Sequence, residues 1–124
     1  MVRLLIVDDE KQICEEFRET LEQEGYQVDF ATSGKEGIRK IRQGRYDLVF
    51  MDEGMPFMAG DKVFAQVRQF SQVPVAFVSG FLTPSKQKKI LAMGAVTCLH
   101  KPLDLNQVKS LIRMIENHGG SFSS

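Results

Sequence analysis

Four short patches of this 124-residue chain carry side chains able to do chemistry, and each follows a run of apolar residues. Asp8, Asp9 and Glu10 follow the first run, Asp52 and Glu53 a second, Ser79 and Gly80 a third, and His100, Lys101 and Pro102 a fourth. Two carboxylates about 4 Å apart repel by roughly 4 kcal/mol at an effective dielectric of about 20. If Asp8, Asp9 and Asp52 share one place, they therefore demand a compensating cation. Hard oxygen ligands without His or Cys suit Mg²⁺, with Mn²⁺ as an alternative and water filling the remaining octahedral positions. Lys101 would add a fixed positive charge. Taken singly, each residue has a plainer role. Asp9 stands three places before Gln12 with the spacing of a capping box at a helix start. Asp52 alone could be a solvated loop carboxylate, Ser79 a turn or cap hydroxyl, and Lys101 a solvated lysine before proline.

The elements that would position these residues alternate regularly. Arg3 to Val7 is an apolar run without polar alternation, as expected of a strand covered on both faces. Ile13, Phe17, Thr20 and Leu21 recur at helical spacing, which predicts a helix over about residues 10 to 24 closed by Gly25. Val28 to Ala31 reads as a strand, and Ser33 caps a helix through Gln43 whose propensity Gly37 weakens. Tyr46 to Met51, the most apolar run, predicts a central strand, with acidic, Gly and Pro punctuation from Asp52 to Gly60. Val63, Phe64, Val67 and Phe70 mark a third helix, and Val73 to Val78 a fourth strand. Pro84 opens a fourth helix ending near Gly94, Ala95 to Leu99 forms a fifth strand, and Asp104 caps a last helix lined by Val108, Leu111, Ile112 and Ile115. This alternation implies right-handed crossovers and an α/β domain, doubly wound, in which a five-stranded parallel sheet lies between five helices. In such sheets function gathers at the carboxyl ends of the strands. If the first, third, fourth and fifth strands are neighbours, Asp8, Asp9, Asp52, Ser79 and Lys101 share one rim.

Composition narrows the function classes. A hydrophobic content of 43% excludes a disordered chain, and the length suits one domain over residues 1–118, with 119–124 as a flexible tail or the start of a linker. Sixteen basic residues balance sixteen acidic ones, so no net field draws the domain to nucleic acid or to a membrane. Cys14 and Cys98 stand far apart without a partner motif, which argues against disulfides and zinc and for a reduced, cytoplasmic setting. The apolar run at the start is too short for a signal peptide or a membrane span. No helix-turn-helix follows the last helix, so output is expected from a partner's surface or a further domain.

Four ordered blocks carry a family resemblance: LLIVDDE at 4–10, YDLVFMDEGMP at 46–56, VPVAFVSG at 73–80 and GAVTCLHKPLD at 94–104. With these the chain resembles the receiver domain of two-component response regulators, chemotaxis-regulator-like, over about residues 2 to 117. The resemblance implies the flavodoxin-like strand order 2-1-3-4-5. It also implies a phosphorelay function in which Asp52 accepts a phosphoryl group from a histidine kinase or phosphotransfer protein, with Mg²⁺ as cofactor. On that reading Asp9 is a direct Mg²⁺ ligand, Asp8 a second acidic member acting through water, and Gly54 a ligand through its backbone carbonyl. Ser79 binds the phosphoryl group, Lys101 neutralises it, and the Lys101–Pro102 bond is cis. The domain is then not an enzyme but a regulator that assists its own phosphorylation and dephosphorylation. It switches an output surface around the fourth helix, fifth strand and fifth helix toward an output domain, a partner protein or a second copy of itself on activation.

Two departures from the family pattern matter. Cys98 occupies the place, three before Lys101, where an aromatic commonly turns inward on activation, which leaves that readout without its ring. Gly54 lacks the side chain that steers hydrolytic water, so loss of phosphate is expected not to be especially fast. Phe81 could shield the site or belong to the core. Among rival functions, a non-phosphorylated interaction module would keep the acids merely as caps. A Mg²⁺-dependent phosphohydrolase of the haloacid dehalogenase type would need an aspartate where Gly54 stands, and a nucleotide carrier would meet repulsion from Asp8 and Asp9.

Overall fold

Strands without polar side chains need cover on both faces, and this chain supplies a helix after every strand. The structure, a computed structural model, describes residues 1–117; the expected tail at 119–124 lies outside the described residues. The elements run β1 (Arg3–Val7), α1 (Lys11–Gln23), β2 (Gln27–Ala31), α2 (Gly34–Gln43), β3 (Leu48–Asp52), α3 (Gly60–Val67), β4 (Val75–Ser79), α4 (Pro84–Ala92), β5 (Thr97–His100) and α5 (Leu105–Asn117). All strands pair in parallel in the order β2-β1-β3-β4-β5, as the resemblance implies.

The period of two along a strand sorts the core into two layers. Leu5, Val7, Val49, Met51 and Phe77 face α2, α3 and α4, where Ile41, Val63, Phe64, Val67 and Ile90 are buried with them. Leu4, Ile6, Leu48, Phe50, Ala76 and Val78 face α1 and α5, packed with Leu21, Val108, Leu111, Ile112 and Ile115. Each layer holds an edge-to-face aromatic pair, Phe64 with Phe77 at 5.4 Å and Phe17 with Phe50 at 5.7 Å between ring centres. Full burial of one such side chain contributes about 1.5–3 kcal/mol, so the covered central strands hold the sheet rigid. Among the described residues no helix is long and apolar enough to cross a membrane.

Element boundaries depart from the hydrophobic pattern where backbone groups are diverted. β4 starts at Val75, not Val73, because the Val73 amide donates to Ser71 Oγ, its carbonyl accepts from Arg68, and Pro74 has no N–H. β3 starts at Leu48, where its pairing with Leu4 of β1 begins; before it the Tyr46 hydroxyl donates to Asp29 at 2.7 Å and the Asp47 carboxylate accepts the Arg3 amide at 2.8 Å. β5 runs to His100 and excludes Ala95, whose amide closes the end of α4 on the Ile90 carbonyl. The capping box expected at Asp9 is absent: the N-cap of α1 is Glu10, it has no side-chain cap, and Gln12 donates to Glu16 instead. The caps expected at Ser33 and Asp104 form, and Thr83 caps α4 in the same way, each side chain accepting an amide of the first turn.

Gly37, which weakens the intrinsic helix propensity of α2, belongs there for packing: a Cβ at this position would lie 3.0–3.1 Å from the methyl carbons of Val7. Gly34 is tighter still, since its Cβ would lie 2.6 Å from Val63 Cγ2 on α3. Overpacking a well-filled contact costs about 1–3 kcal/mol. Gly34→Ala is therefore expected to lower the urea-unfolding free energy by about that amount, although alanine is the better helix former. An unchanged midpoint and slope would show that the α2–α3 contact yields without cost.

Candidate functional site

The strand order brings the ends of β1, β3, β4 and β5 side by side. Val7 pairs with Met51, Asp52 with Val78, and Ser79 with His100, so Asp8, Asp52, Ser79 and Lys101 emerge at one rim. Each is placed by its strand's last ladder bonds. The Asp8 amide donates to the Ala31 carbonyl, the Glu53 amide to the Val78 carbonyl, and the Lys101 amide to the Ser79 carbonyl. The Lys101–Pro102 peptide is cis.

Carboxylate oxygens of Asp8, Asp9 and Asp52 lie within 4.8 Å of one another. Asp8 and Asp52 are buried, while Asp9 is exposed. Asp8 Oδ1 accepts the Glu10 amide at 2.9 Å, and Asp52 Oδ1 accepts the Gly54 amide at 3.1 Å. The other oxygen of each faces Lys101, whose Nζ is 3.0 Å from Asp8 Oδ2 and 3.5 Å from Asp52 Oδ2. Below this pair, the Cys14 thiol donates to the Asp8 carbonyl, and burial with Asp8 pushes its pKa up to about 12, which makes it an inert packing group.

The electrostatics follow from burial and crowding. Burial first, and the Asp8 charge as well, raise the pKa of Asp52 above its ordinary value of 3.8, against the lowering effect of the Gly54 amide and Lys101. Burial alone would lower the Lys101 pKa, but its contacts with Asp8 and Asp52 hold the ammonium above its usual range. Three carboxylates against one ammonium leave two negative charges, and the donors are all hard oxygens. That set fits a small divalent cation such as Mg²⁺.

The Ser79 hydroxyl belongs to a local turn: Oγ accepts the Phe81 amide at 3.2 Å and donates to the Phe81 carbonyl at 2.9 Å. Among the described residues it makes no hydrogen bond to Asp52. Phe81 is 80% exposed, so it is not a core residue. Phe57, on the loop after β3, is also fully exposed and sits at φ +67°, where the Met58 amide closes a tight turn on the Pro56 carbonyl. No pattern in the sequence marks this turn, because phenylalanine rarely adopts that region. The start of α3 lies directly on the acceptor: a Cβ on Gly60 would collide with the Asp52 carbonyl oxygen. Beside the acids, an apolar groove of about 500 Å³ runs between Ile13 and Phe17 of α1 and Leu103 and Leu105.

Sequence reasoning missed a second charge cluster one residue along from Asp52. Glu53 and Asp61 are buried, and Lys86 and Lys89 of α4 pair with them. The i, i+3 lysine spacing on α4 was its only available signal. Burial and the nearby Asp61 push the Glu53 pKa up to about 7. For Asp61, burial acts upward, but hydrogen bonds from Lys89 and Lys86 outweigh it and bring the pKa to about 2.

Because the folded-state pKa of Asp52 is raised, the native protein holds that proton more tightly than the unfolded chain. Asp52 therefore subtracts stability as pH rises from about 3.8 through the raised value. Without divalent ions at pH 7, Asp52→Asn should unfold at higher denaturant than wild type, and the difference should shrink below pH 4. Lys101→Met should do the opposite, losing about 1–3 kcal/mol by leaving two carboxylates unneutralised. Equal stability of all three proteins in chelator would remove the proposed charge crowding.

Residues 4–113 match the family model described as the response regulator receiver domain. The transcriptional regulatory protein PcoR of Escherichia coli is 31% identical over 116 residues, 93% of this chain and 51% of that protein. The chain thus spans about half the length of the curated relatives it matches. Among solved structures, the chemotaxis protein CheY4 of Vibrio cholerae is 29% identical with a TM-score of 0.84, covering 93% of this chain and 98% of that one. TrrA of Thermotoga maritima, a response regulator protein in complex with Mg²⁺ and BeF, is 28% identical with a TM-score of 0.81, covering 93% and 99%. A match over nearly the whole described chain, on a fold that superposes on solved response regulators and gathers its acids at one rim, makes this chain a member of the response regulator receiver-domain family of two-component signalling.

Proposed function

We propose that Asp52 accepts a phosphoryl group from a histidine kinase or phosphotransfer protein and so switches the output of a two-component response regulator. The observation that carries this reading is the placement of Asp52. It is buried, paired with Lys101 at 3.5 Å, and within 4.8 Å of two further carboxylates at the carboxyl end of the central strand. A carboxylate is a weak nucleophile toward another anion, so positioning and charge neutralisation must supply most of the rate. The Gly54 amide and Lys101 orient the carboxylate. One oxygen then attacks phosphorus, the bond from phosphorus to the donor's imidazole nitrogen or acetate oxygen breaks with its electron pair leaving on the donor, and an acyl phosphate remains on Asp52.

Asp8, Asp9 and Asp52, with the carbonyl of Gly54, would hold Mg²⁺, which supplies positive charge to the phosphoryl oxygens when bound. The solved complex of TrrA with Mg²⁺ and BeF supports that assignment by likeness. Lys101 is ready to shift from carboxylate to phosphoryl oxygen, and the Ser79 hydroxyl can leave the Phe81 turn to donate to another. Phosphorylation replaces one negative charge by about two and adds three acceptor oxygens, which is enough to bias an output surface of α4, β5 and α5. Residues 1–118 act as the receiver unit in the cytoplasm, and the remaining length of relatives such as PcoR points to an output domain or partner protein, with dimerisation as one form of output.

Incubation with acetyl phosphate and Mg²⁺ should give an acid-stable, base-labile adduct on wild type and none on Asp52→Asn. Mg²⁺ should raise the melting temperature of wild type by about 10 °C at 100 times its dissociation constant, about 2.7 kcal/mol of linkage, and Asp9→Asn should weaken that rise. An adduct on Asp52→Asn would rule out Asp52 as acceptor; an undiminished Mg²⁺ effect would remove Asp9 from the ligand set.

A further inference from the structure

The cluster behind the acceptor has no part in the chemistry proposed above. Glu53 Oε1 lies 3.5 Å from Lys86 Nζ; Asp61 Oδ2 lies 3.2 Å from the same ammonium and 3.0 Å from Lys89 Nζ. The two carboxylates are 9% and 5% exposed, whereas the lysines reach in from the surface of α4. Buried carboxylates side by side need a cation or a shared proton, and here both cations come from one helix, at its third and sixth positions. Glu53 Oε2 is buried without any hydrogen-bond partner. The cluster thus ties α4 to the segment that follows β3 while one buried carboxylate oxygen stays unsatisfied.

Both ends of this cluster adjoin the acceptor site. Glu53 directly follows Asp52, the last residue of β3, and the Gly60 amide donates to the Glu53 carbonyl, seating the start of α3 and Asp61 against it. On the other side, Ser79 holds the turn with Phe81 just before Thr83, which caps α4 by accepting the Lys86 amide at 3.1 Å. The Ser79 hydroxyl has one proton, so donating it to a phosphoryl oxygen on Asp52 would break its bond to the Phe81 carbonyl and loosen that turn. That turn leads directly into the first turn of α4, which carries Lys86.

We propose that Lys86 and Lys89, clamped on Glu53 and Asp61, form an autoinhibitory latch that holds α4 in its resting position and that phosphorylation of Asp52 must release. The latch rests on the phosphoacceptor reading above. Coupling between two sites is reciprocal: if a phosphoryl group at Asp52 weakens the latch, breaking the latch must strengthen binding of a phosphoryl mimic by the same factor.

The test compares wild type with the double variant Lys86→Gln and Lys89→Gln, with Lys86→Arg, and with Lys88→Gln, which removes a neighbouring lysine outside the cluster. The two readouts are fluoroberyllate binding in Mg²⁺ and amide hydrogen exchange of residues 84–92 without any phosphoryl mimic. The double variant should exchange faster across α4 and bind fluoroberyllate about three- to tenfold more tightly, while Lys86→Arg and Lys88→Gln stay close to wild type. Mg²⁺ is held at saturation in every variant, because removing two positive charges favours cation binding; at saturation the same loss of charge weakens attraction of an anion, so a gain in fluoroberyllate affinity does not come from the long-range field. Wild-type binding with equal or weaker binding by the double variant overturns the latch alone, as does unchanged exchange across α4. A wild type that does not bind fluoroberyllate defeats the phosphoacceptor reading and the coupling with it.

Discussion

A single ammonium shared between two buried carboxylates on different strands organises this domain's working end. Lys101 arrives from β5 and bridges Asp8 after β1 and Asp52 at the end of β3, closing over the intervening β4. The bridge is incomplete by design of charge: two negative charges remain once Asp9 is counted, and burial raises the acceptor's affinity for a proton. A site with surplus negative charge and no room to disperse it is held ready for a cation and, with the cation, for an anion that the acids alone would repel.

The sheet makes such crowding tolerable. β3 and β4 are buried along their whole length, and their side chains alternate between two separately packed layers. That rigid slab fixes where the strands stop, and the loops beyond carry the polar groups. Close approach of α2 and α3 through Gly34, and of α3 to the Asp52 carbonyl through Gly60, leaves the acceptor little freedom to relax away from its neighbours. The cost of bringing like charges together is thus borne by apolar packing elsewhere.

Two charge clusters divide the surroundings of Asp52. On one side Asp8, Asp9 and Lys101 set the chemistry. On the other, Glu53 and Asp61 bind the lysines of α4. Cys98 stands where the family commonly carries an aromatic, and its thiol is raised in pKa by burial and by the Glu53 charge, so a polar cluster rather than a ring borders β5 here. The loop before α4 ties the two sides together through Ser79 and Thr83.

Much of this was legible without coordinates. Uninterrupted apolar runs at Leu4–Val7 and Leu48–Met51 specify buried parallel strands, and the residues that follow them specify hard-oxygen chemistry, because both properties are carried by residue type and local spacing. The caps at Ser33 and Asp104 are equally local. The capping box at Asp9 failed because the Asp8 side chain takes the Glu10 amide and the helix begins one residue later. The start of β4 at Val75, the strained turn at Phe57 and the pairing of Glu53 and Asp61 with α4 were decided only in three dimensions. Sequence spacing sets which groups a segment offers. Which of them meet, and at what depth below solvent, depends on contacts between residues tens of positions apart, and it is that depth which turns ordinary acids and lysines into a site.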